Sequence, residues 1–419
     1  MKVRAVTVGA PVSWPMATGV IERAGSVAGR VTAALGDAGY EVQTIRLATP
    51  VLDRLVKTGA EAVALAGELD GAAPDAGFGY TSLGAADVFA APGTALLEVM
   101  PEIIAGTETV FCSASVASRE QGISLAGARA CGDLVAKVAI QSADGFGNLR
   151  FAALANCPPH IPFFPAAYHD GAERLTVGLA LEAADVAVEA FGGALTLDDA
   201  RDRLVRMLRM KVRNVEAAAR SALQGEPGAK VTGVDLSLAP FPADDRSIAH
   251  AFERLGVPAF GAHGTLFLAS FLTDCLRAVN SERFGFSGLM LPVLEDSVLA
   301  RRAAEGTFGV DSLLLYSAVC GLGLDTVPLP GDTTPAELAG VILDMAALAV
   351  KLDKPLTARL FPVPGKRAGD DVSWDFAFFS PSRVLPMRGM APGGILAESE
   401  TYNPAHRELP GGQVHDAGR

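Results

Sequence analysis

The chain has 419 residues, half of them hydrophobic, and a mean hydropathy of +0.30, enough apolar side chains to bury a large core and too many for disorder over most of its length. A net charge of −12 and a pI near 5.0, with Lys and Arg scattered along helical segments, exclude the basic stripe of a nucleic-acid binder. Five cysteines without a C-x-x-C pair or zinc spacing, an opening Met1-Lys-Val-Arg-Ala-Val-Thr-Val unlike a signal peptide, and no apolar segment long enough to span a bilayer are expected of a cytoplasmic protein with reduced thiols.

Val3–Val8 is a short β-rich run ended by Gly9-Ala-Pro11, and a helical pattern follows from Gly19 to Leu35. Strands are then expected at Glu41–Ile45, Phe78–Ser82, Thr109–Val116, Leu149–Ala155, Leu175–Leu181, Val231–Leu238, Gly288–Leu294, Thr326–Leu329, Thr357–Pro362 and Trp374–Phe379. Helices are expected between most of them, at Ala60–Leu69, Thr94–Ile104, Ala126–Ile140, Leu197–Leu223, Ser247–Leu255, Thr265–Val279, Glu295–Glu305 and Thr334–Leu352. Such alternation argues an α/β fold, a parallel or mixed sheet covered by helices. No segment reads as an interdomain linker, so one large domain is expected over residues 1–386, followed by a Gly/Pro-rich flexible tail over 387–419. The spacings of nucleotide-binding loops are missing, and no nucleotide cofactor is expected.

Residues able to do chemistry concentrate between Val231 and Pro328. Asp235 is an acid inside an apolar strand and needs a partner or a ligand; Ser237 follows it on the same face. His263 is flanked by Gly261 and Gly264 before a helix starting at Thr265, where free N–H groups can meet an anion and a His can act as acid or base. Ser287 begins a turn, Glu295 and Asp296 open a helix, and Cys320 and Asp325 bracket the turn Cys320-Gly-Leu-Gly-Leu-Asp325. A nucleophilic Cys320 needs a partner that lowers its pKa; packed as a small hydrophobe it needs none. Earlier in the chain, Cys112 and Ser113 end an apolar run, and His169 lies in a Pro-rich loop long enough to be a lid, whereas His406 and His415 belong to the tail. Convergence of His263 with two of the acids would make a divalent metal site, the alternative to a metal-free one.

At these residues the chain resembles a known family. Val234-Asp-Leu-Ser-Leu-Ala-Pro-x-Pro242, Gly261-x-His-Gly-Thr265, Ser287-Gly, Pro292-Val-x-Glu-Asp296 and Cys320-x-x-Gly-Leu-Asp325 look like motifs of uncharacterised protein family 0210, also called domain of unknown function 711. Weaker echoes are Val110-Phe-Cys-Ser113 and Ala167-Tyr-His-Asp-Gly171. The resemblance implies a closed barrel of about ten strands with outer helices and a loop threaded inside, similar to the pyruvate formate-lyase-like barrel, with the Cys320 turn as the counterpart of that loop. It does not extend to glycyl-radical chemistry, because the chain has no Arg-Val-x-Gly-aromatic segment near its end. The chain also departs from its family at Phe378-Phe-Ser-Pro-Ser-Arg383 and in a compressed region after Leu69.

The expectation is a non-radical enzyme that acts on a small anionic metabolite of the amino or keto acid class at the barrel mouth, by His acid/base and Cys chemistry, and is assembled as a homo-oligomer. Its catalytic residues would be His263, Cys320, Asp325 and Asp235, and Gly264, Thr265, Ser237, Ser287, Glu295, Cys112, Ser113 and His169 would bind substrate. The alternative is a metabolite-binding oligomer without turnover. Neither reading involves nucleic acid or a membrane.

Overall fold

In the computed structural model, which describes residues 1–279 and 284–404, the alternation expected from the sequence is realised as a mixed α/β fold with one large sheet. Its strands are β1 (Lys2–Gly9), β2 (Ile45–Ala48), β3 (Tyr80–Asp87), β4 (Val110–Ser118), β5 (Gly122–Ser124), β6 (Phe151–Ala155), β7 (Leu175–Glu182), β8 (Ala229–Ala239), β9 (Gly323–Pro330) and β10 (Leu356–Val363). They follow the order β8-β7-β1-β2-β3-β4-β6-β10-β9, with β5 beside β4. β1, β2, β3, β4 and β6 run parallel. The pairs β7–β8 and β9–β10 flank them and run the opposite way.

The sheet is buried on both faces, which is why its strands read as continuous apolar runs. On the outer face Val6, Val8, Leu47, Val110, Leu236 and Leu238 pack against the helices. Those helices start where the sequence signals them: Thr196 accepts from Asp199 N–H, and Thr334 with Glu337 forms a capping box. The inner face is built from small side chains, among them Ala5, Ala85, Ala152 and Ala180. They leave room for Ile161, Phe163 and Ala166 of the loop 156–174, which runs through the interior between β6 and β7. Thr7 Oγ1 donates to Pro162 O (2.7 Å), Ser82 Oγ to Ala167 O (2.6 Å), and His169 N to Thr49 O (2.9 Å), tying that loop to β1, β3 and the end of β2. The threaded segment is thus this Pro-rich loop, not the Cys320 turn.

Three expected strands differ. Residues 41–44 only flank β2, through one bridge from Val42 to Val3. Residues 374–379 form no ladder; Trp374 and Phe376 each pack edge to face against Phe379 instead, ring centroids 5.5 and 5.2 Å apart. Residues 288–294 make single contacts on either side, Leu238 N to Gly288 O (3.3 Å) and Val293 N to Asp325 O (3.1 Å), beside an isolated bridge between Pro292 and Asp325. No continuous ladder therefore joins β8 to β9 among the described residues, and the closed ten-strand barrel is reduced to an α/β fold with a large, mostly parallel sheet. Proline at 292 removes one ladder donor from this segment. The helices Ala184–Gly192 and Val310–Val319 have no counterpart among the expected elements. Within residues 387–404, Thr401–Tyr402 pairs with β5 and Arg129 donates to Ser399 O, so this segment lies along its own chain; His406 and His415 lie outside the described residues.

Candidate interior anion site

Side chains from both ends of the strand order, Arg4, Arg46, Tyr80 and Phe111 on one side and Ala239, Asp325 and Arg359 on the other, line a single cavity of about 80 Å³. The sheet therefore curls strongly, and the loop 156–174 and the segment 286–295 fill the space it encloses. Two of the arginines sit at irregularities of the ladders. The β1–β7 register shifts between Val3 and Ala5, around Arg4, and the β9–β10 register shifts between Ala358 and Leu360, around Arg359. A bulge re-aims a side chain that strict alternation would fix: on β1 the extra residue is Arg4 itself, whereas in the other pair it is in β9, where Asp325 and Thr326 oppose Arg359, which points inward by ordinary alternation.

Each carboxylate of the cluster has an arginine of its own. Arg359 Nε donates to Asp325 Oδ1 (2.6 Å) and its Nη2 to Glu295 Oε1 (2.8 Å), while Arg4 Nη2 donates to Glu295 Oε2 (2.6 Å). Arg246 Nη1 donates to Glu182 Oε1 (3.3 Å). Arg46 is left over. It is 9% exposed, its Nε donates to Thr44 Oγ1 (2.9 Å), and its guanidinium lies 5.2 Å from the Phe164 ring and 6.0 Å from the Tyr80 ring. No carboxylate of the described residues forms an ion pair with it, Glu295 acting on it only at longer range. Burial, and next the like charge of Arg4, push its pKa down to about 9, so it stays cationic at neutral pH. Burial also raises Asp325, with Arg359 opposing and Glu295 adding to the rise. Among the described residues, Arg359 Nε is the one donor to the Asp325 carboxylate.

The residues singled out by sequence are dispersed. Asp325 and Glu295 line the cavity. Asp235, Ser237 and Ser287 form one buried knot: Asp235 accepts from Ser237 N (2.9 Å), Ser237 Oγ (2.6 Å), Phe286 N (2.7 Å) and Ser287 N (3.0 Å). Gly285 has φ +63° there, and a Cβ on it would stand 2.1 Å from Asp235 Oδ2, so the acid holds a turn that only glycine permits. Burial, against these four donors, raises Asp235 to about 6. Asp296 is likewise structural, capping the helix Ser297–Ala304 through Val298 N and Leu299 N.

His263 and Gly264 are exposed outside the cavity lining, and Thr265 Oγ1 closes its own turn by donating to Ala262 O and accepting from Gly261 N. Cys320 is buried in the outer core, its pKa pushed up to about 11 by burial. The turn carrying His263 packs on Thr307, before the helix Val310–Val319, and Cys320 caps the far end of that helix. Cys112 faces the outer core and burial pushes it up to about 12. Ser113 has the opposite orientation, on the inner face beside Phe111, which lines the cavity; among the described residues its buried hydroxyl has no partner. His169 is fully buried in the threaded loop, where burial lowers its pKa and Nε2 faces Arg174 O at 3.0 Å.

Arg4, Arg46 and Arg359 were not singled out from the sequence, although each is a charge inside an apolar strand, the same signal that drew attention to Asp235. Among the described residues no cluster of three His, Cys, Asp or Glu side chains is arranged to hold a metal ion, and no helix is long and apolar enough to cross a membrane. Fold and cavity together define an α/β protein with an arginine-rich interior pocket. The chain belongs to the family described as Uncharacterised ACR (DUF711), whose model matches residues 1–377. It is 36% identical over 348 residues to a UPF0210 protein of Pyrobaculum islandicum, covering 79% of this chain and 76% of that one. Similar relatives are a UPF0210 protein of Methanopyrus kandleri, 35% identical with 75% and 72% covered, and one of Desulfovibrio desulfuricans, 32% identical with 77% and 74% covered.

Proposed function

We propose that the protein binds a small anionic metabolite in the interior cavity and acts on it by proton transfer, with Arg46 holding the anion and Asp325 exchanging the proton. The observation that carries this reading is Arg46, a buried guanidinium to which no carboxylate of the described residues is paired. A buried charge without a counter-ion is costly, and an anionic ligand removes the cost. Asp325, held by one donor and raised by burial, is the cavity group best suited to take and return a proton. This moves the chemistry from His263 and Cys320 to the arginine cluster. The reading includes closure of the sheet, with residues 288–294 serving as the tenth stave between β8 and β9, as in the pyruvate formate-lyase-like barrel.

The alternative, binding without turnover, is favoured by one feature: among the described residues every carboxylate in the cavity is engaged by an arginine, and no His or Cys lines it. Solvent deuterium exchange into carbon-bound protons of a panel of small carboxylic and oxo acids, followed by NMR, separates the two. Proton transfer predicts exchange in the wild type and its loss, with binding retained, in Asp325→Asn. Binding without exchange in the wild type leaves the non-catalytic reading. Asp325 loses a negative charge when protonated, so anion affinity should rise as pH falls through its raised pKa and become flat in Asp325→Asn.

A further inference from the structure

Resting on the anion-binding reading above, we propose that the ligand is a small, unphosphorylated monocarboxylic acid with no ammonium group and a largely apolar remainder. Space sets the first limit: a cavity of about 80 Å³ walled by strands and by the threaded loop suits a small molecule. Charge sets the second limit. Asp325 is matched by Arg359, Glu295 by Arg4 and Glu182 by Arg246, which leaves the single positive charge of Arg46 for the ligand. A monocarboxylate neutralises it. A dicarboxylate or a phosphate ester brings a second negative charge into a buried site with no further unmatched cation, and a zwitterionic amino acid leaves the surplus charge in place. The remaining wall sets the third limit. Phe111, Phe164, Phe286, Met290 and Leu322 offer apolar contact, and the Thr357 hydroxyl is already donated to Leu322 O (3.2 Å).

Isothermal titration of the full chain with butyrate, 2-oxobutyrate, 2-aminobutyrate, succinate and methyl phosphate tests this, in the wild type, Arg46→Met and Arg46→Lys. The two monocarboxylates should bind at least about tenfold more tightly than the other three, a difference of about 1.4 kcal/mol. That binding should be lost in Arg46→Met and partly kept in Arg46→Lys. Succinate, methyl phosphate or 2-aminobutyrate binding as tightly as butyrate, with the same dependence on Arg46, overturns the monocarboxylate assignment and leaves the anion site standing. Absence of binding by all five, or equal binding in Arg46→Met, overturns the anion site itself and the assignment with it. Arg46→Lys keeps the test decisive where Arg46→Met fails to fold.

Discussion

Arg46 and Glu295 sit in one cavity, and truncating each should move stability in opposite directions. Arg46 is a buried cation without a carboxylate, so Arg46→Met should leave the unliganded protein more stable, by on the order of 1 kcal/mol or more. Glu295 joins Arg4 to Arg359, and Glu295→Gln leaves Arg4 short of its matched counter-charge and Arg359 with Asp325 alone, at a cost of roughly 3–5 kcal/mol. Urea denaturation of both variants checks the pair; an Arg46→Met protein less stable than wild type would show that the guanidinium is a strut of the fold. Asp235 adds a pH test. Its folded pKa, about 6, lies above the ordinary 3.8, so its contribution is fully present below 3.8 and lost as pH rises through 6. The stability difference between wild type and Asp235→Asn should therefore narrow from pH 4 to pH 7, by on the order of 3 kcal/mol. Parallel pH profiles of the two proteins would mean that Asp235 titrates normally. The sequence made Asp235 conspicuous because an acid in an apolar run needs partners; it could not say that those partners are the N–H groups of residues 286 and 287, distant along the chain. The same reasoning applied to Arg4, Arg46 and Arg359 would have found the cavity.

Local patterning made most of the elements legible. Helices with a capping residue and a run of apolar periodicity, such as Leu197–Ala222 and Pro335–Leu352, start within a residue of where the sequence puts them. What local patterning could not supply was the inside of the sheet. An inner face of Ala5, Ala85, Ala152 and Ala180 looks from sequence like ordinary small core positions, and only assembly shows that their size admits a loop. Residues 374–379 failed for a related reason: an aromatic run satisfies strand propensity, but these rings pack on one another without a ladder partner. The threaded loop is held to β3 by the Ser82 hydroxyl, which Ser82→Ala deletes. We expect a loss of about 1 kcal/mol in stability and faster amide hydrogen exchange across residues 156–174 than across β3. Exchange unchanged in the loop would show that its packing, and not this hydrogen bond, fixes it.

At the scale of the whole molecule, the proposed function needs β8 and β9 to face one cavity, and the segment 288–294 is what lies between them. It crosses the Cys320 turn at two glycines. A Cβ on Gly321 would stand 2.6 Å from Gly288 Cα, and one on Gly288 would stand 2.5 Å from Gly321 Cα, so the obstacle in either case is backbone and not a side chain free to rotate away. This gives the pair of glycines in the motifs Ser287-Gly and Cys320-Gly a physical role: they let two chain segments touch where continuous hydrogen bonding is missing. Gly321→Ala should push residues 288–294 off the turn, destabilise the protein by roughly 2–3 kcal/mol and weaken ligand binding, because Met290, Pro292 and Glu295 line the cavity. Gly67→Ala is the control, on the helix Gly59–Asp75 with nothing within 4 Å of the added methyl, where about 0.4–1 kcal/mol of stabilisation is expected. Denaturation and titration of both variants decide the matter. If Gly321→Ala matches the control in stability and still binds, the segment does not close the sheet, and the cavity is held by the curl of the other strands alone.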